Sequence, residues 1–366
     1  MSDDAQLEAR PERSADPGRR GRPGRALLLG LVWLAAFLGT ARLVRGALPW
    51  PESNGLRAKW EYFVEHEDEY DLVFVGSSHV LCSIVPLELE RELAARGHEL
   101  RAFNFGVPGM LSFESDHVLR CILEREPARL RWIVVELSEW KPDPRMALDT
   151  QRAVFLHGPE RTAAILESQW LVALGWREQL SRTLAHLRLM ARHLGNAGEL
   201  SKWLGTRVGV LAPEAGMERE EIARTQGYQA LEDANDPGAR KGRQRFLNTL
   251  PAYRRQIGSM EAERAAVREL EPHLLPPLRR RMALFEGRDL ELIHVVYATE
   301  DASPQLDLLA REGLVPRLWA FNRPDRYPRL YREEVRYDDR HLLREGALEF
   351  TRLFADRFAR FLEEGD

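Results

Sequence analysis

Five short apolar runs set the limits on what this chain can become: DLVFV (71–75), LRAFNF (100–105), WIVVEL (132–137), LELIHVVYA (290–298) and LVPRLWAF (314–321). They are near strand length and rich in β-branched and aromatic residues. They lack the apolar–polar alternation of a half-wetted sheet, so they predict strands buried on both faces. Helical patterns lie between them. Pro86–Arg96 starts on proline and stops at Gly97, the usual asymmetry of a helix. After Ser112, residues Val118, Leu119, Ile122 and Leu123 share a helical face, and Gly346–Leu362 presents Phe350, Phe354, Phe358 and Phe361 on another. Strand–helix alternation predicts a doubly wound α/β sheet. Such sheets bind ligands beyond the carboxyl ends of their strands.

The alternation breaks between the third and fourth runs. Roughly Asp143–Arg288 is too long for one crossover. RTAAILESQWLVALGWREQLSRTLAHLRLMARHL reads as helices, Ala212–Arg245 as an exposed polar loop, and Glu261–Phe285 as helix again. The segment predicts a helical insertion over 143–288. It leaves the fold at the carboxyl edge of the third strand, and so is expected to sit beside the site as a cap. There is no internal repeat.

The N-terminus reads differently. Met1–Arg25 is polar and rich in Gly, Pro and Arg, the composition of a disordered tail. ALLLGLVWLAAFLGTA (26–41) carries no charge. It is slightly short of the roughly 20 residues a span needs, and Leu43 and Val44 extend it if Arg42 snorkels. Arg19, Arg20, Arg22 and Arg25 precede the run, while Arg42 and Arg45 follow it. That bias predicts a transmembrane anchor over 26–46 with its N-terminus in the cytoplasm and residues 47–366 outside. A cleaved signal peptide is the rival reading, with Gly39 and Ala41 before the cut.

With 53 basic and 57 acidic residues, the charge is nearly balanced, and no nucleic-acid partner is implied. The two cysteines, Cys82 and Cys121, read as buried free thiols, with a single bridge as the alternative. Phosphate-loop, dinucleotide and HExxH patterns are missing from the sequence, so no cofactor and no metal is expected. EHEDEYD (65–71) reads as a solvated helix end and LRRRM (278–282) as a solvated helical turn.

The residues that follow the predicted strands carry the chemistry. Gly76-Ser77-Ser78-His79 ends the first, GVPGM (106–110) ends the second, and YDDRHLLREGA near the C-terminus holds Asp338 three residues before His341. A serine hydroxyl needs a base, His341 can serve as one, and Asp338 can fix its tautomer. A tetrahedral oxyanion needs N–H donors, which Gly109 and Ser78 can supply from their backbones. Asp338 is preferred to Asp339 on spacing. Ser77 reads as a turn residue, His79 as a packing or supporting contact, and Asn104 as either a supporting ligand or a strand-end turn residue.

These blocks resemble the SGNH/GDSL hydrolase superfamily. VGSSHV resembles its first block, with Ser78 in the nucleophile's place. FNFGVPGM resembles the second, with Gly109 at the oxyanion glycine, and YDDRHL resembles the last. The resemblance spans about 71–140 and 291–361. It implies a three-layer, flavodoxin-like α/β fold on a five-stranded parallel sheet, with Ser78, His341 and Asp338 catalytic and Ser78 and Gly109 forming the oxyanion hole. The family's third block, Gly-x-Asn-Asp, is replaced by ELSEW (136–140), where Ser138 stands nearest to the missing Asn. The N-terminal anchor is similar in architecture to the DltD-like and alginate O-acetylation branch. That branch implies an esterase or O-acyltransferase acting on an acyl ester or glycan of the cell envelope, with a membrane acyltransferase as a partner. The alternative from the altered third block is a non-catalytic accessory protein that binds envelope glycan or an assembly partner.

Overall fold

The computed structural model describes residues 23–143, 150–196, 198–211, 216–233 and 237–364. Residues 1–22, most of the expected disordered tail, lie outside that set. The chain divides into two compact units after Ala47.

The first unit contains helix α1, Pro23–Ala47. Residues Gly24–Ala47 are long and apolar enough to cross a membrane, with a mean hydropathy of 2.0 over the best window. At 1.5 Å per residue such a helix exceeds the ~30 Å of a bilayer's hydrocarbon core.

The second unit is built on a sheet whose strands are β1 (Leu72–Gly76), β2 (Ala102–Gly106), β3 (Trp132–Glu136), β4 (Glu291–Val296) and β5 (Leu318–Ala320). All five predicted runs are strands. They pair in parallel in the order β2-β1-β3-β4-β5, the flavodoxin-like order of a doubly wound sheet. Side chains alternate between faces with period two. Leu72, Phe74, Val134, Ile293 and Val295 pack against α4 (Pro86–Ala94) and α15 (Arg344–Glu364), where Leu89, Leu93, Phe350, Phe354 and Phe358 are buried. Val73, Val75, Ile133 and Val135 pack on the other face against α2 (Leu56–His66) and α5 (Ser112–Arg125), through Phe63, Val118, Leu119 and Ile122. Phe361, expected on the buried face of α15, is only partly buried at its edge.

Between β3 and β4 the expected insertion is present as helices. α6 (Gln151–Leu156), α7 (Pro159–Gln169), α8 (Trp176–Leu194) and α9 (Glu199–Arg207) come first. α10 (Arg219–Thr225), α11 (Pro237–Asn248), α12 (Leu250–Ala266) and α13 (Leu275–Ala283) follow. α14 (Pro304–Arg311) then links β4 to β5.

Two expectations are corrected in the insertion. The described part of Ala212–Arg245 is not an exposed loop: Met217, Ile222, Tyr228 and Ala230 are buried. The Gln226 carbonyl accepts the Asn104 N–H at 2.9 Å on the free edge of β2, and Gln229 donates its N–H to Leu81 O at 3.2 Å. A polar composition misleads here because the segment docks through its backbone. LRRRM is not wholly solvated either. Arg281 is buried over the Trp140 ring and bonds Asp116 at 2.6 Å.

EHEDEYD is more engaged than a solvated end. Glu67 pairs with Arg125, Glu69 with Arg101, and buried Asp71 accepts the Arg101 N–H at 2.9 Å. Cys82 and Cys121 are both free, the first buried and the second half-buried. Burial, the largest influence on each, pushes both thiols up to about 12, which keeps them protonated and inert.

Candidate active site

Leaving β1, the chain turns on Ser77, whose Oγ accepts the His79 N–H at 3.2 Å and caps the short helix α3 (Ser78–Ser83). The turn residue expected at 77 is therefore a helix cap. Ser78 becomes the first helical residue, with an N–H that needs no acceptor inside the helix.

Ser78 Oγ lies 2.8 Å from His341 Nε2, across 263 residues of chain. His341 Nδ1 lies 2.9 and 3.1 Å from Asp338 Oδ1 and Oδ2. Asp338 Oδ1 also accepts the N–H groups of Arg340 and His341, each at 2.8 Å. Burial raises the Asp338 carboxyl, but the His341 ring and these backbone donors outweigh it, leaving the group at about 2. An ionised Asp338 holds the proton on Nδ1, so Nε2 presents its lone pair to the Ser78 hydroxyl. Asp339 plays a different part, lending its carbonyl to Arg336 at 2.6 Å.

Arg336 is what shapes that loop, and sequence reading passed over it. Fully buried, its guanidinium bonds the carbonyls of Asp338, Asp339, Ala298 and Leu330 at 2.6–3.2 Å. The Asp338–His341 loop is thereby fastened to the segment following β4. Arg243 of α11 adds a bond to the Tyr337 carbonyl at 3.1 Å.

Gly109, the expected oxyanion donor, lines the cleft beside Ser78. It sits at φ +64°, in the left-handed region that favours glycine. Its turn is held by Arg152 of α6, which donates to the Pro108 and Gly109 carbonyls at 2.8 and 2.6 Å. Gly109 and Ser78 line one cleft. Among the described residues neither backbone N–H has a recorded backbone acceptor outside a helix.

The end of β3 supplies Glu136. Its Oε2 accepts the Ser77 N–H at 2.6 Å and its Oε1 bonds His79 Nδ1 at 2.8 Å. Gly76 makes room for it, because a Cβ there would lie 2.6 Å from Glu136 Cβ and Oε2. Burial raises the Glu136 carboxyl, but the His79 ring and the Ser77 N–H prevail and hold it below the usual carboxylate range. His79 therefore has a supporting contact, as expected, and its ring lies 5.3 Å from that of His341. Glu136 was not among the expected site residues. Register alone could have flagged it, since Val75 pairs with Val135 and the next step sets Glu136 beside Gly76. Ser138, nearest to the missing Asn, lines the cleft with its hydroxyl 2.8 Å from that of Ser112.

Asn104 lies within β2 rather than in a turn. Its Nδ2 donates to the Val80 and Ile84 carbonyls, each at 2.8 Å, and its Oδ1 accepts the Gly106 N–H. The helix carrying Ser78 is thus tied to β2. Lys59 of α2 completes the support: Nζ donates to Asn104 O, Gly106 O and Gly227 O at 2.9, 2.6 and 2.6 Å. Burial pushes this amine down to about 7.

The cleft encloses about 460 Å³. Its far wall carries Ser138, Glu139, Thr299, Glu300, Asp301 and Ser303, and burial pushes the Glu139 and Glu300 carboxyls up. Among the described residues, none from 150–288 lines it. The expected cap is thus corrected: the insertion supports the site from behind, through Arg152, Arg243 and Gly227. No family model, curated protein or solved structure matches this chain.

Proposed function

We propose that the chain is an SGNH-type serine esterase or O-acyltransferase, anchored by α1 and working outside the cytoplasm on acyl groups of an envelope polysaccharide or similar ester. One observation carries the reading: the unbroken Ser78–His341–Asp338 chain of hydrogen bonds, 2.8 and 2.9 Å long, at the carboxyl ends of parallel strands.

In this reading Ser78 Oγ attacks the ester carbonyl as His341 Nε2 takes its proton, and Asp338 stabilises the imidazolium. The N–H groups of Ser78 and Gly109 receive the oxyanion. His341 returns the proton to the departing alcohol oxygen, leaving an acyl-Ser78. His341 then deprotonates water or a sugar hydroxyl, which takes the acyl group and releases Ser78. The carboxylates and hydroxyls of the far wall suit a hydroxyl-rich acceptor. A membrane acyltransferase would be the partner that supplies acyl groups.

One observation favours the accessory reading: no asparagine lines the cleft among the described residues, and Ser138 is engaged with Ser112. Turnover separates the two. The full chain in non-ionic detergent should hydrolyse a small activated ester, and adding a polyol should divert part of the acyl group to it. Folded protein with no turnover on any ester would favour glycan binding. A reporter fused after Asp366 should be active only outside the cytoplasm, and cytoplasmic activity would overturn the envelope assignment.

A further inference from the structure

A second cavity, of about 270 Å³, lies between α5, α7 and α13. Its walls carry four arginines, Arg120, Arg161, Arg280 and Arg281, beside the apolar Phe113 and Leu284. Arg161 and Arg281 are 7% and 1% exposed. Each arginine has one carboxylate partner: Arg120–Glu160, Arg161–Glu114, Arg280–Glu167 and Arg281–Asp116. A guanidinium has five N–H donors, and these partners leave several unused. Arg161 Nε and Nη1, Arg281 Nη2 and Arg120 Nε are buried with no acceptor among the described residues.

Buried, unmet guanidinium donors are costly, and native structures rarely leave them so. The three arginines that carry these donors line one cavity with Arg280, and only two of the carboxylate partners, Asp116 and Glu160, share its wall, so the lining has guanidinium in excess and suits an acceptor-rich guest. Planar arginine forks match the oxygens of carboxylate and phosphate. His117, the remaining polar wall residue on this side, is pushed down to about 3 by burial and by Arg161 and Arg120, so it stays neutral. The apolar walls, including Ala164 and Pro277, suit a hydrocarbon body rather than a hydrated inorganic ion.

We infer that this cavity binds an organic oxyanion, a carboxylate or phosphate carried on an apolar body. The inference stands apart from the esterase reading, although the two sites adjoin. Phe113 lines both cavities, and Arg281 Nη1 approaches the Glu136 carbonyl at 3.5 Å. An occupant of this cavity would therefore meet Arg281, the side chain that in turn approaches the residue holding the Ser77 turn.

Titration calorimetry on the full chain in non-ionic detergent tests this with hexanoate, hexyl phosphate, inorganic phosphate and hexanol. One or both of the first two should bind saturably, one per chain, at least tenfold tighter than inorganic phosphate or hexanol. The stronger of the two identifies the head group. Arg161→Gln should weaken binding at least tenfold, and Ala164→Phe, which fills the cavity without touching a charge, should do the same. Ser78→Ala should leave binding unchanged, which separates this site from the catalytic one. No saturable binding, equal binding of hexanol, equal binding of inorganic phosphate, or affinity unmoved by Ala164→Phe in a folded protein would overturn the assignment.

Discussion

The Glu136 carboxylate accepts the backbone N–H of Ser77 at 2.6 Å, one residue before the candidate nucleophile. A charged acceptor at the end of β3 therefore fixes the turn that aims Ser78, and its other oxygen holds His79.

Glu136→Gln keeps the volume and removes the charge. On a small activated ester kcat is expected to fall about 100-fold, the scale of a misplacement near 1 Å, with KM and melting temperature little changed. An unaltered kcat would make Glu136 a packing residue only.

Lys59 gives each of its three donors a carbonyl. Lys59→Met should leave those carbonyls unsatisfied and cost about 3 kcal/mol or more of stability, read as a lower urea midpoint. Deleting 212–245 removes Gly227, Gln226 and Gln229 together, so it is expected to abolish folding and activity on every substrate. A folded deletion protein, selectively impaired on bulky acceptors, would restore the idea of a cap.

The insertion should also be acid-labile. His157 and His186 are buried and stacked, with rings 5.2 Å apart. His157 Nε2–H donates to His186 Nδ1, and His186 Nε2–H to the Pro142 carbonyl, both at 3.3 Å, a chain that fits two neutral rings. Burial first, then Arg161, pushes His157 down to about 2; burial with Arg161 and Arg182 outweighs the Pro142 bond and Asp143 and pushes His186 down to about 4. Both folded values lie below the ordinary ~6.5 of histidine. The unfolded chain thus binds protons first as pH falls, and stability is lost from about pH 6.5 downward. The loss should be about 1–2 kcal/mol per ring by pH 5. His186→Gln should flatten the dependence of melting temperature on pH between 7 and 5. An unchanged slope would place the lability elsewhere.

The five strands were legible because strands buried on both faces need continuous apolar runs. Ser78, Gly109, Asp338 and His341 were legible because a doubly wound sheet gathers its strand ends at one edge. Glu136, Arg336 and Lys59 were not. Glu136 and Lys59 act on backbone atoms far away in sequence, and Arg336 ties its own loop to the distant Ala298 carbonyl; no local pattern records such bonds. Polar 212–245 was misread because a few scattered apolar side chains, Met217 and Ile222 among them, and backbone bonds from Gln226 and Gln229 dock it, and neither leaves a continuous apolar run. Arg281 hid among exposed neighbours because one helical turn carries buried and wet positions side by side.

The most direct test is to treat the full chain with a fluorophosphonate and locate the adduct by mass spectrometry. The account expects one adduct, on Ser78, absent from Ser78→Ala, strongly slowed in His341→Ala and retained in Ser77→Ala. An adduct on Ser77, or none on folded protein, would contradict it.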